Sequence, residues 1–171
     1  MTLVELIRHG AIWGGVFGIA FCIGVLVLGR INVAMLVNEY PPDVRAKFGA
    51  MDVSTRRQAN RVSLPFLIVL IAIVILALTS LRNQTGELAA RDVFLVAVTM
   101  FQTWNLLDLI LLDWFLLMTL QPRFMILPGT EGMAGYRDFG FHLRKFLNGV
   151  ILTFLLSGIV TLIALAIEWI A

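Results

Sequence analysis

Long apolar runs separated by polar segments dominate this sequence from one end to the other. A membrane-spanning α-helix requires roughly 20 consecutive apolar residues, within a range of about 17–25, and four runs satisfy that length. The runs occupy about residues 11–37, 62–81, 93–120 and 146–171. The pattern therefore predicts an all-α polytopic membrane protein, with residues 1–171 as a single membrane domain that contains four transmembrane helices.

Helix-end signals near these runs refine the predicted boundaries. Ser63 can cap the second helix, with Pro65 in its first turn, where a missing N–H costs no hydrogen bond. Pro122 ends the third helix, and Gly86 marks the turn before it. The first run is longer than the apolar region of about 7–15 residues in a signal peptide. We therefore expect it to be a helix of the mature protein.

Composition supports the membrane assignment and excludes several other classes of protein. Hydrophobic residues make up 60% of the chain and charged residues 14%, whereas soluble domains contain roughly 45–50% apolar and about 25% charged residues. A disordered chain, a collagen and a disulfide scaffold are excluded, the last because Cys22 is the single cysteine. A nucleic-acid partner is also excluded, because the net charge is only +2 and the basic residues lie between apolar runs.

Lysine and arginine are distributed unevenly between the two sides of the predicted bundle. Ten of the thirteen lie in or beside the loops of about residues 38–61 and 121–145, and three lie on the opposite side. The positive-inside rule assigns the richer side to the cytoplasm, so we expect both termini outside and these two loops cytoplasmic. Arg56, Arg57 and Arg61 are expected just under the membrane, where each contributes about 1 kcal/mol of attraction to anionic headgroups.

The third run carries polar and ionisable side chains at membrane depth. On a helical wheel of 100° per residue, Gln102, Asn105 and Asp113 share one face and Asp108 lies at its edge. An ionised aspartate at mid-membrane costs roughly 2.5–3.5 kcal/mol, so these residues should face protein, water or a cation. We predict a polar site within the membrane, or alternatively a hydrogen-bond network that locks helices together. Arg30, at a similar depth in the first run, is predicted to pair with Asp113.

Small residues recur at every fourth position of the first and fourth runs. Such spacing allows two helices to approach closely. It predicts packing within the bundle, or alternatively an interface with a second copy or a partner subunit. The residues are Gly10, Gly14 and Gly18 in the first run, and Gly149, Thr153, Ser157 and Thr161 in the fourth.

The loop after the third run carries further candidate residues. Asp138 and His142 are four residues apart and would point the same way on a helix, so they are weak candidates for a divalent-metal site together with Glu131 or Asp113. The alternative is a solvated helix start. Tyr136 is a candidate of the same loop. The chain contains no Cys-x-x-Cys, Gly-x-Ser-x-Gly or His-Glu-x-x-His motif, so standard nucleophilic and zinc-protease chemistry lacks its residues.

Two parts of the chain are similar to known proteins. The first combines residues 39–43 (Glu-Tyr-Pro-Pro-Asp) with residues 105–114, and the second combines residues 128–132 (Pro-Gly-Thr-Glu-Gly) with Tyr136, Asp138 and His142. Together they resemble a family of small bacterial four-helix integral membrane proteins with no known activity. The resemblance implies a multi-pass location in the bacterial inner (cytoplasmic) membrane and implies no reaction.

These observations favour a non-catalytic function without a cofactor. We expect a small oligomeric binding or transport protein, or a subunit of a larger membrane complex, because four helices hardly enclose a sizeable aqueous path alone. The alternative is a membrane enzyme that acts on a lipid or isoprenoid headgroup at the cytoplasmic face through a divalent cation, which would bind phosphate. A structural or assembly factor without a small ligand is a third possibility.

Overall fold

A computed structural model of the chain, which describes residues 1–170, contains α-helices joined by short segments. The helices are α1 (Leu3–Asn32, continued by a 3₁₀ segment at Val33–Glu39), α2 (Pro42–Phe48), α3 (Val53–Thr85), α4 (Ala90–Leu107, continued by a π-helical segment at Asp108–Leu120) and α5 (Phe139–Ile170). Four units are long and apolar enough to cross a membrane, namely α1, α3, α4 and α5 with their continuations. The predicted all-α fold with four such helices is confirmed, and no strand is present in residues 1–170.

Each of the four long helices begins before the apolar run that predicted it. The runs mark only the part of a helix that is apolar enough for lipid, whereas the backbone stays helical until a capping group ends it. Thus α5 begins at Phe139 rather than near residue 146, and the predicted loop of residues 121–145 includes its first turns. Ala171, the last residue of the predicted fourth helix, lies outside the described residues.

The start of α3 shows the difference most clearly. Its N-cap is Asp52, whose side chain accepts hydrogen bonds from the backbone N–H of Thr55 and from the hydroxyl of Ser54. Hydrogen bonds from Ser54 and Thr55 hold the pKa of Asp52 below its usual range. The predicted cap at Ser63 is therefore wrong, because a stronger cap lies upstream and the helix runs on through Ser63 and Pro65.

Helices α1 and α4 form the centre of the bundle, and their backbones approach closely. A Cβ atom added at Gly10 would lie 2.7 Å from the carbonyl oxygen of Val96, and one at Gly14 would lie 2.6 Å from that of Met100. Gly18 faces Leu107 of the same helix α4. The small-residue face of α1 is therefore occupied by α4 of the same chain and is not available to a second copy.

Helix α5 packs against the other side of α4 with its own row of small residues. Thr153, Ser157 and Thr161 are buried. The hydroxyls of Ser157 and Thr161 each donate to the carbonyl oxygen four residues earlier, at 2.7 Å. Because these hydroxyls form their hydrogen bonds within α5, the row presents no unpaired polar group to α4 and lets the two helices approach closely.

Helix α3 lies at the edge of the bundle and is the least buried of the four spanning units. Two polar contacts hold it at the end that carries both termini, here called the terminal end. There His9 Nε2 lies 3.0 Å from the carbonyl oxygen of Ala77, and Arg82 Nε lies 3.0 Å from Glu168 Oε2 of α5. The opposite end, which carries α2 and residues 121–138, is here called the loop end.

Residues 121–138 fold across the loop end as an ordered layer. The hydroxyl of Tyr40 donates to the carbonyl oxygen of Met125 at 2.6 Å. The hydroxyl of Tyr136 accepts from the backbone N–H of Leu127 at 2.9 Å and lies 2.7 Å from the Thr130 hydroxyl. All five residues are buried, and burial raises the pKa of the Tyr40 hydroxyl. The loop is thus a structural part of the bundle rather than a solvated connection.

Tyr136→Phe is expected to destabilise this layer by about 1–3 kcal/mol, because it leaves the buried N–H of Leu127 without an acceptor. Hydrogen exchange of residues 121–138 measures the effect, and the Leu127 amide should exchange faster. Tyr40→Phe is the matched control, since it removes a donor from a carbonyl oxygen, which tolerates the loss better than an N–H does. Equal effects of the two variants would contradict this explanation.

Candidate functional site

A cavity of about 890 Å³ lies between α3 and α5, with α1 and α4 behind it. The two flanking helices meet at the terminal end through Arg82 and Glu168, whereas at the loop end both line the cavity. Leu64, Leu67 and Leu152 line it and are themselves exposed on the surface of the bundle. The cavity therefore opens sideways between α3 and α5, at the depth of the apolar runs.

Most of the cavity wall is apolar, and its charged groups lie together. Leucine and phenylalanine side chains from α1, α3, α5 and the 3₁₀ and π-helical segments supply about half of the lining residues. The charged side chains that line it are Glu39, Asp108, Asp113 and Lys145. They come from the last residue of the 3₁₀ segment, the π-helical segment and the second turn of α5, which places them toward the loop end. The cavity is thus amphipathic, with a long apolar part and a charged end.

Two close contacts involve three of these four charged side chains. Lys145 Nζ lies 2.5 Å from Glu39 Oε2. Asp113 Oδ1 lies 3.0 Å from Nδ1 of His142, a residue that is only 1% exposed. The carboxylate lies off the direction of the ring N–H, so this second contact is close without being an aligned hydrogen bond. Within residues 1–170, the side chain of Asp108 has neither an ion pair nor a hydrogen bond.

The third span continues beyond α4 as a π-helical segment, and Asp113 in that segment faces α5, as Gln102 and Asn105 on α4 do. The backbone N–H of Gln121 donates to the carbonyl oxygen of Leu116, five residues earlier, at 2.8 Å. Such a ladder holds more residues per turn than an α-helix, yet the predicted face of Gln102, Asn105 and Asp113 is preserved, since all three side chains contact α5. The predicted pair of Arg30 with Asp113 is wrong, because Asp113 contacts His142 of α5 instead. Arg30 is exposed, and its guanidinium lies 4.2 Å from the ring centroid of Phe124.

Gln102 and Asn105 connect α4 to α5 through side-chain amides. Nε2 of Gln102 donates to the carbonyl oxygen of Val150 at 3.2 Å, and Nδ2 of Asn105 donates to that of Phe146 at 3.1 Å. Asn105 also lines the cavity. The polar residues predicted on the third run therefore have different positions. Gln102 only connects two helices, Asn105 connects them and also lines the cavity, and Asp108 lines the cavity.

The loop candidates for a metal site do not converge. Oδ1 of Asp138 accepts from the backbone N–H of Phe141 at 2.9 Å and so caps α5. Glu131 is exposed, and hydrogen bonds to backbone N–H groups in its own loop hold its pKa below the usual range. His142 faces Asp113 instead. In residues 1–170, no group of three or more His, Cys, Asp and Glu side chains is placed to hold a metal ion.

Sequence reasoning missed two charged residues of the cavity. The sequence pattern singled out neither residue as part of a site. Glu39 was noted only as part of the resemblance to a known family, and Lys145 only as one of the basic residues on the richer side. Both lie at the borders of apolar runs on the same side of the bundle, the first after the first run and the second before the fourth. Opposite charges placed in this way are the signal that could have suggested their contact.

No family model matches this chain, and no curated protein or solved structure is significantly similar to it. The bacterial origin, the inner-membrane location and the orientation of the termini therefore stay predictions. The fold itself indicates a multi-pass membrane protein.

Proposed function

We propose that this chain is a non-catalytic protein of the bacterial inner membrane that binds an amphipathic, lipid-sized molecule between α3 and α5. The observation that carries the proposal is the cavity of about 890 Å³. Ligand pockets in proteins measure about 300–1,000 Å³ and combine a mostly apolar wall with a few polar groups that orient the ligand. This cavity has that size and that division between apolar wall and charged end.

The position of the cavity favours a ligand that enters from the bilayer. The exposed leucines at its mouth, Leu64, Leu67 and Leu152, belong to helix faces that are apolar enough for lipid. An acyl or similar apolar body can lie along this wall while the headgroup reaches Asp108 and Asn105 near the loop end. Uptake of a ligand from the bilayer requires such lateral access, whereas a purely structural subunit does not need it.

The alternative of a divalent-cation enzyme has less support from the geometry. Its four candidate ligands were Asp113, Glu131, Asp138 and His142. Asp138 caps a helix and Glu131 lies exposed in the loop, so only Asp113 and His142 approach each other. A cation bound by this set would lack most of the carboxylates that hold a divalent ion.

A homo-oligomer or a membrane partner subunit stays part of the proposal. The glycine face of α1 is occupied by α4, but the outer faces of α3 and α5 carry many exposed large apolar side chains. Lipid, a second copy or a partner can cover these faces. Headgroup contacts of Arg56, Arg57 and Arg61, which are exposed at the start of α3, are expected at the loop end.

Native mass spectrometry of protein extracted gently from its own membrane tests the function. We expect a lipid-sized adduct on the wild-type chain. Leu67→Trp, which places a large ring in the cavity, should remove most of it, whereas Ile68→Trp should retain it, because Ile68 is exposed on the same helix without lining the cavity. A wild-type chain without an adduct, or an adduct unaffected by Leu67→Trp, would overturn the proposal.

A further inference from the structure

At the charged end of the cavity, one carboxylate has no side-chain partner within the described residues. Three carboxylates and one lysine line it. Lys145 is engaged by Glu39 at 2.5 Å, and Asp113 lies 3.0 Å from His142. Asp108 remains, and its oxygens are not shut off inside the protein. An ionised carboxylate in apolar surroundings is unfavourable unless it takes up a proton or a cation approaches it, so a positive group from outside the described chain would be stabilised at this position.

Three aromatic side chains, Phe21, Phe66 and Trp104, line the same cavity as Asp108. Trp104 lies four residues before it, on the part of α4 that is α-helical, and both residues line the cavity. The centroid of the Trp104 ring lies 5.1 Å from that of Phe21, and the Phe21 centroid lies 5.9 Å from that of Phe66. Aromatic faces attract ammonium groups, and quaternary ammonium ligands are recognised by such clusters.

From these two independent observations we infer that the ligand is a cationic amphiphile, an amine or quaternary ammonium on an apolar body. Its positive headgroup contacts the Asp108 carboxylate beside Phe21, Phe66 and Trp104. This inference rests on the proposed function, since it names the class of ligand for the same cavity. An anionic headgroup fits poorly, because it would lie beside Asp108 and Asp113 while the lysine of the cavity is already paired with Glu39.

Three probes with the same dodecyl chain test the inference in nanodiscs of neutral lipid. One ends in trimethylammonium, one in the uncharged tert-butyl group of the same shape, and one in sulfate. Binding is measured as the amount retained above that of empty nanodiscs. We expect the wild-type chain to prefer the ammonium probe to the neutral probe by about tenfold or more, the effect of one charge-assisted contact. The sulfate probe should bind most weakly.

Two variants of matched charge locate the preference. Asp108→Asn should bind the ammonium and neutral probes equally, at the level of the neutral probe on the wild-type chain. Asp92→Asn, in the first turn of α4 and outside the cavity, should leave the preference unchanged. Should Asp108→Asn fail to fold, Glu39→Gln serves instead. It frees Lys145 to approach Asp108 and should reduce the preference for the ammonium probe.

The outcomes separate the two proposals. Equal binding of the ammonium and neutral probes to the wild-type chain, a preference for sulfate, or a preference that survives Asp108→Asn would overturn the cationic ligand. In each of these cases Leu67→Trp still reports on the cavity, because it should abolish binding of every probe. If no probe binds, or if Leu67→Trp changes nothing, the proposed function fails as well.

Discussion

Gly14→Leu is expected to lower the free energy of unfolding by about 3 kcal/mol or more, at or beyond the upper end of the usual cost of overpacking. The new Cβ alone would lie 2.6 Å from the Met100 carbonyl oxygen and 2.7 Å from Thr103 Cβ. A flexible side chain could turn away from such a contact, but a helix backbone cannot. The two central helices must therefore separate along much of their length.

Thermal denaturation in detergent, followed by size-exclusion chromatography, measures this loss. Gly15→Leu is the matched control, because it makes the same substitution at the next position of α1, where an added Cβ meets no atom within 4 Å. Both substitutions replace a glycine inside a helix, and this replacement by itself stabilises the helix by roughly 0.5–1 kcal/mol. The control should be neutral or slightly stabilised. Similar losses at Gly14 and Gly15 would show that α1 and α4 do not pack through this face.

Asp113→Ala and Asp108→Ala are expected to have different effects, although both remove an aspartate from the same segment. Without Asp113, the buried ring of His142 loses the carboxylate that lies 3.0 Å from its Nδ1, so Asp113→Ala should lower the free energy of unfolding. Without Asp108, no buried group loses a partner, and a carboxylate without a counter-charge disappears. Asp108→Ala should thus fold as well as the wild-type chain or better, while it loses the preference for cationic ligands.

A double-mutant cycle separates these roles. The coupling free energy of Asp113→Ala with His142→Ala should reach about 0.5–3 kcal/mol, the range for residues in contact. Asp108→Ala with His142→Ala should show less coupling. Thermal unfolding of the three single and two double variants provides both values. If Asp108→Ala and Asp113→Ala destabilise the chain equally, Asp108 also contributes to the stability of the fold, and the distinction between the two aspartates is wrong.

The features that depend on local composition could be predicted from the sequence. Four apolar runs predict four helices because the thickness of a bilayer sets the length that must be apolar. The glycines of α1 and the small residues of α5 predict close packing, because only small side chains let two helix backbones approach. Neither prediction requires knowledge of which helices are neighbours.

The features that depend on helix pairing could not be predicted. The face shared by Gln102, Asn105 and Asp113 meets α5 and not Arg30 of α1, and the sequence pattern does not show which helix a given face will meet. The cavity likewise depends on how α3 and α5 diverge from their contact at Arg82 and Glu168. Such an angle results from packing along whole helices, for which single residue types carry little information.

A chain whose third span contains a π-helical stretch can change in length there at small cost. In an α-helix, the loss of one residue turns everything beyond it by about 100°. In Asp108–Leu120, a return of one turn from i→i−5 to i→i−4 pairing can absorb the missing residue, so that the chain still enters the ordered loop in the same direction. Related chains can therefore differ by a deletion in this stretch and keep the layer around Tyr40 and Tyr136 in place.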